Sequence, residues 1–154
     1  MRIACIAALV FTVASAAHAH VTVWPQESRA GASERYTVRV PTEGQVSTVA
    51  VELEIPADVT VTGVLAVPGG TYEARRDGTR IVAITWTQNI KAAEVGEFVF
   101  FARNPAGTQI SWKARQRFAD GTSNDWVGVE GDRRPASITR LTPAPAGRTD
   151  GRRP

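Results

Sequence analysis

The sequence predicts an all-β protein built as an antiparallel β-sandwich, on three observations. From residue 20 onward apolar and polar residues alternate with a period of two, the pattern of a strand with one face in a core. Turn residues such as Pro68-Gly69-Gly70, Asp77-Gly78, Asn104-Pro105 and Asp120-Gly121 punctuate that pattern, at the spacing of roughly 8 to 12 residues seen in sandwiches. No segment sustains the 3.6-residue period of an amphipathic helix, so minimal helix is expected.

The first nineteen residues stand apart. Arg2 is followed by an apolar run from Ile3 to Ala14 and then by small residues ending in Ala17-His18-Ala19, the charged start, apolar middle and Ala-x-Ala exit of a secretory signal. The run is too short to span a bilayer. Residues 1–19 are therefore expected to leave as a signal peptide, with His20 as the mature N-terminus. Ala14-Ser15-Ala16 also fits Ala-x-Ala, and cleavage after Ala17 would instead begin the chain with His18-Ala19-His20. The product is expected in the periplasm or outside the cell.

Residues 20–141 are expected to form one domain, since a chain of this length buries one core and not two. Val21 and Val23 open a short strand closed by Trp24-Pro25, an edge or an end because Pro cannot donate to a ladder. Arg35 to Val40 alternates strictly until Pro41. Val49, Val51, Leu53 and Ile55 repeat the pattern with Glu52 and Glu54 facing out, and Pro56 ends it. Val59–Thr62 follows, then a hairpin joining Thr71–Arg76 to Arg80–Thr87 through Asp77-Gly78. Phe98 to Arg103 is apolar on both faces, as a central strand should be. Ile110, Trp112, Ala114 and Phe118 mark what reads as the longest strand. Asp125–Val127 and Ala136–Leu141 complete about nine strands, a count typical of immunoglobulin or cupredoxin sandwiches. Trp86 and Trp112 sit at inward positions and read as core. The tail 142–154, rich in Pro, Gly and Arg, is expected to be disordered.

Charge and cysteine content narrow the chemistry. The chain has 18 basic and 15 acidic residues, but Arg2 lies in the leader and Arg148, Arg152 and Arg153 lie in the tail against Asp150, so residues 20–141 are balanced. No basic stripe interleaved with aromatics appears, which argues against a nucleic-acid binder. Cys5 is the only cysteine and sits in the leader. The mature chain then has no thiolate for redox work, zinc fingers or soft-metal binding. A C-terminal apolar stretch is also lacking, so no membrane anchor is expected.

His20 is the residue where these lines meet. An N-terminal histidine offers its free amine and its ring Nδ1 to one metal ion, closing a six-membered chelate. The α-amine has a reference pKa near ~7.7 to 8, so giving up its proton to a metal costs little at neutral pH. Amine and imidazole are borderline nitrogen donors, for which the divalent affinity order favours copper. With one histidine and no cysteine left, a blue-copper site is excluded. An exported chain can also begin with His for no reason of chemistry. Glu43 reads by itself as a solvated loop carboxylate, and Trp126 as a core residue.

Several short motifs in order change that weighting: His20-Val21-Thr22-Val23 with Pro25, Tyr36 through Glu43, Thr85-Trp86, Gly96-Glu97-Phe98, Lys113-Ala114, Asp120-Gly121, Trp126 and Pro135-Ala136. Together they resemble the YcnI-like copper-binding domain across residues 20–141. The resemblance implies an exported sandwich related to cupredoxins that holds Cu(II) in a mono-histidine brace. Carried over by motif, the metal ligands are His20, through amine and imidazole, and Glu43, with Trp126 shielding the ion. Glu27, nearer to His20 in sequence, is the alternative carboxylate, and Trp24 the alternative ring. The expected role is copper handling as carrier, scavenger or chaperone and not catalysis, with the copper ion and another copper chaperone or a copper importer as partners. Two other classes stay open: a copper oxidase or monooxygenase, which would brace the metal with a second histidine, and a metal-free sandwich that recognises a protein.

Overall fold

Period-two alternation becomes three hydrogen-bonded sheets in the computed structural model, which describes residues 20–144. The expected signal peptide, and all of the expected disordered tail beyond Ala144, lie outside the described residues. Twelve strands form: β1 (Thr22–Trp24), β2 (Glu27–Arg29), β3 (Ser33–Pro41), β4 (Thr48–Glu54), β5 (Thr60–Val64), β6 (Thr71–Asp77), β7 (Arg80–Ile90), β8 (Val95–Arg103), β9 (Gln109–Trp112), β10 (Ala114–Phe118), β11 (Ser123–Trp126) and β12 (Ser137–Thr142). No helix occurs among the described residues.

One sheet runs β1-β3-β8-β5, a second β11-β10-β4-β7-β6, and a small third β2-β12-β9. β8, apolar on both faces, lies between β3 and β5 as its composition requires. The facing sheets enclose a core of Tyr36, Val38, Val40, Leu53, Ile84, Trp86, Phe98, Phe100 and Trp112. Each large apolar side chain fully buried there contributes roughly 1.5 to 3 kcal/mol. Trp86 stacks on Phe98 at 5.3 Å, and Tyr36 stacks on Phe100 at 5.3 Å while meeting Trp112 edge-on. Buried polar tips find partners: Tyr36 Oη donates to Asn104 Oδ1 (2.6 Å) and Trp112 Nε1 to Thr139 Oγ1 (3.0 Å).

The structure departs from the sequence reading in four places. The stretch expected as one longest strand is broken at Lys113: β9 pairs with β12, whereas β10 passes to the second sheet beside β4. The longest strand is β7, at 11 residues. β2, which has no apolar alternation, forms by parallel pairing with β12, so not every ladder is antiparallel. β12 also runs to Thr142, which pairs with Arg29, one residue past the expected domain end. Finally, Val49 is not a core residue. In the β4–β10 ladder Arg117 faces Ala50 and Phe118 faces Thr48, so Val49 is bulged out and Thr48 turns inward, 1% exposed.

Candidate functional site

His20 is placed by the strand that follows it. Val21 and Val23 are buried, so alternation puts His20, Thr22 and Trp24 on the other side of the chain. β1 is fixed by its ladder with β3, from Thr22 opposite Arg39 to Trp24 opposite Thr37. The Val23 N–H donates to Ser137 Oγ at 2.9 Å, which ties β1 to β12 as well. Held by two neighbours, the start of β1 sets the half-buried imidazole of His20 against the ring of Trp126, with centroids 5.3 Å apart and planes at 65°.

Trp126 ends β11, opposite Ala114 of β10, and is 6% exposed. It is both a core residue and a wall. The preceding Asp125 is clamped by Arg115, whose Nε and Nη2 donate to its two carboxylate oxygens at 2.7 and 3.3 Å. Those bonds hold the Asp125 carboxyl below its ordinary range, with the charges of Arg115 and Arg134 adding to the effect. Trp24, the other candidate ring, is turned elsewhere: its Nε1 donates to Thr22 Oγ1 at 3.2 Å and the Arg39 guanidinium lies over it at 5.3 Å.

Glu43 follows β3 on an anchored stem. Thr42 is buried; its N–H donates to Glu94 O at 2.9 Å and its carbonyl accepts from Ala93 N–H at 3.0 Å. Immediately after Glu43 the chain turns through Gly44 at φ +79°, a conformation glycine adopts without strain. Glu43 itself is exposed at the mouth of a cavity of about 140 Å³ that it lines with Pro41, Gln116, Asn124, Trp126, Arg133 and Arg134 among others. His20 lines a separate groove of about 440 Å³ that includes Glu27 and Glu130. Trp126 thus touches His20 and forms the wall of the Glu43 cavity, while Glu27 shares the His20 groove.

Among the described residues no cluster of three or more His, Cys, Asp or Glu side chains could hold a metal. The side chains near His20 that could donate to an ion are its own imidazole and the carboxylates of Glu27 and Glu130 in its groove, with Glu43 in the neighbouring cavity walled by Trp126. The donors present are nitrogen and oxygen with an aromatic wall, a set suited to Cu(II) in a tetragonal field and poor for Cu(I).

Sequence reasoning passed over Gln116. Its carboxamide is 2% exposed; Nε2 donates to Pro41 O (3.0 Å) and Thr48 Oγ1 (2.7 Å), and Oε1 accepts from Trp126 Nε1 (3.3 Å). The signal was available. Trp112, Ala114 and Gln116 fall on one inward face, and a glutamine there must find buried partners.

Fold and site together define an immunoglobulin-like sandwich with a histidine at the head of its first strand, set against a buried tryptophan beside a carboxylate-bearing cavity. The chain belongs to the YcnI-like family, whose model, described as Domain of unknown function (DUF1775), matches residues 20–146. It is 35% identical over 145 residues to "Copper-binding protein CutI" of Bacillus subtilis (strain 168), covering 92% of this chain and 71% of that protein. An uncharacterized protein from Nocardia farcinica, whose crystal structure is described as revealing an immunoglobulin-like fold, matches with a TM-score of 0.70 at 26% identity over 79% of this chain and 97% of that one. A cohesin module from a Clostridium perfringens ATCC13124 family 33 glycoside hydrolase matches with a TM-score of 0.50 at 13% identity, covering 80% and 95% of the two chains. That last likeness concerns the fold alone. Of the two sandwich types expected from sequence, these neighbours favour the immunoglobulin one.

Proposed function

We propose that the protein is an exported Cu(II)-binding protein that handles copper in the periplasm or outside the cell as a carrier, scavenger or chaperone, exchanging the ion with another chaperone or an importer. In this reading export leaves His20 at the mature N-terminus. Its amine and ring Nδ1 then chelate Cu(II), the Glu43 carboxylate supplies an anionic oxygen, and Trp126 screens the ion from water. The observation that carries the reading is the contact of the His20 ring with Trp126, itself the wall of the cavity bearing Glu43. The relative named as copper-binding supports the choice of metal. A carrier fits better than an oxidase because the chain's second histidine, His18, belongs to the expected leader.

The test uses the covalent state of one nitrogen. In an internal His20 that nitrogen is a neutral amide, which can join the chelate only by losing a proton far less acidic than that of an ammonium group. Protein beginning at His20, its terminus checked by intact mass, should bind Cu(II), whereas the same protein with one Met added before His20 should fold equally well. Loss of a directly bound nitrogen should lower affinity beyond the ~10 to 100-fold typical of damage around the ligands. Equal Cu(II) binding by both forms would end the brace model. Ascorbate-driven turnover by the copper-loaded protein would move the function to an oxidase.

A further inference from the structure

We propose that Gln116 is the positioning residue of the copper site, tying the shielding ring and the carboxylate stem into one unit; this inference rests on the function proposed above. Three separate elements meet at its carboxamide: Trp126 at the end of β11, Pro41 at the end of β3, and Thr48 at the start of β4. Thr48 Oγ1 also accepts from Thr42 Oγ1 at 2.8 Å, so the network reaches the residue that carries Glu43.

The orientation of the amide is dictated by its partners. Pro41 O can only accept and the indole N–H can only donate, so the NH₂ end must face Pro41 and the oxygen must face Trp126. Both N–H groups and the oxygen are used, and only a primary amide supplies that pattern here. The Val49 bulge matters because it turns Thr48 inward to meet Nε2. Buried polar networks of this kind are costly when partly satisfied and rigid when complete. A complete one holds Trp126 at a fixed distance from the Pro41-Thr42-Glu43 stem, whether or not an ion is bound.

Gln116→Met keeps the bulk and deletes all three bonds. In protein beginning at His20, this variant should bind Cu(II) about 10 to 100-fold more weakly and give an altered electron paramagnetic resonance spectrum. Without metal, the Trp126 indole N–H resonance, assigned by its loss in Trp126→Phe, should shift. Thr139→Val provides the control for stability, since it breaks the other buried indole bond, from Trp112, together with the bond from Thr139 Oγ1 to Pro25 O, neither of them to Trp126 or Gln116, and should leave the copper spectrum unchanged. Gln116→Glu guards against a Met variant that fails to fold. As a neutral acid it can both donate to Pro41 O and accept from Trp126, but as a carboxylate it cannot donate. In the metal-free protein its Trp126 indole N–H spectrum, compared with the unsubstituted protein at each pH, should match at low pH and diverge as pH rises. Unchanged affinity, copper spectrum and indole resonance in Gln116→Met, or a Gln116→Glu indole spectrum matching at every pH, would remove the positioning role. Absence of Cu(II) binding by the unsubstituted protein would instead overturn the functional reading, and this inference with it.

Discussion

Glu43 and Glu27 are the two carboxylates between which the proposed copper site has to be tested. Glu43 follows Thr42, which is held by backbone bonds to Glu94 and Ala93, and lines the cavity walled by Trp126, whereas Glu27 lines the His20 groove from a strand paired with β12. Of the two cavities, only the one that Glu43 lines is also lined by Trp126, the ring that His20 touches. Glu43→Gln should therefore weaken Cu(II) binding and change its electron paramagnetic resonance spectrum, and Glu27→Gln should do neither; the opposite outcome transfers the ligand role to Glu27. Tyr36 provides a residue-scale probe of the core. Burial, reinforced by the nearby Glu34 charge, pushes its hydroxyl up to about 12. A raised value means the folded state favours the neutral phenol, so this contribution is intact below pH ~10, the ordinary tyrosine value, and is lost as pH climbs towards 12. In a Tyr72→Phe background, where Tyr36 is the sole tyrosine, tyrosinate absorbance should rise together with loss of native circular dichroism. A tyrosinate signal near pH 10 in protein that stays folded would contradict this.

At the scale of elements, the segment following β11 should be intolerant of change. Gly128 N–H donates to Arg134 O and its carbonyl accepts from Ala136 N–H, closing a loop that Asp132 braces by accepting from Val129 N–H at 2.9 Å. A Cβ on Gly128 would lie 2.5 Å from Asp132 Oδ2 and 3.0 Å from Arg134 O. Gly128→Ala should therefore cost roughly 1 to 3 kcal/mol, as overpacking does, measured by denaturant unfolding; a change under about 0.5 kcal/mol would mean the loop yields freely. Strict alternation made β3 legible, because Tyr36, Val38 and Val40 had to share a buried face. It could not reveal β2, whose Glu-Ser-Arg carries no apolar signal and becomes a strand only through its pairing with β12. Nor could it reveal the break at Lys113, since side chains keep alternating from Ile110 to Gln116 while the hydrogen-bonding partner changes from β12 to β4. The same limit applies to the site. The sequence singles out His20, and a family resemblance adds Glu43 and Trp126; an inward glutamine at 116 was legible beside Trp112 and Ala114, but its partner Thr48 was not, since Thr48 turns inward only through the bulge at Val49, a register detail that no residue pattern encodes.

Across the whole molecule, the site couples the first strand of one sheet to the edge strand of another. β1 opens the four-stranded sheet and β11 closes the five-stranded one, so His20 against Trp126 is a contact between layers, and an ion held there would staple the sandwich. Binding to the folded state alone stabilises it by mass action, about 2.7 kcal/mol when free ligand is a hundredfold above Kd. For a domain of this size that corresponds to a rise in Tm on the order of 10 °C. Protein beginning at His20 should show this rise with Cu(II), a smaller one with Zn(II) at equal concentration by the divalent affinity order, and little with Cu(I), for which no thiolate or thioether is present between residues 20 and 154. The Met-extended form should unfold at the same temperature as the metal-free protein and lose most of the Cu(II) shift. Should Cu(II) raise both forms equally, or Cu(I) stabilise more than Cu(II), the ion is held elsewhere or by other donors, and the layer-bridging site is refuted.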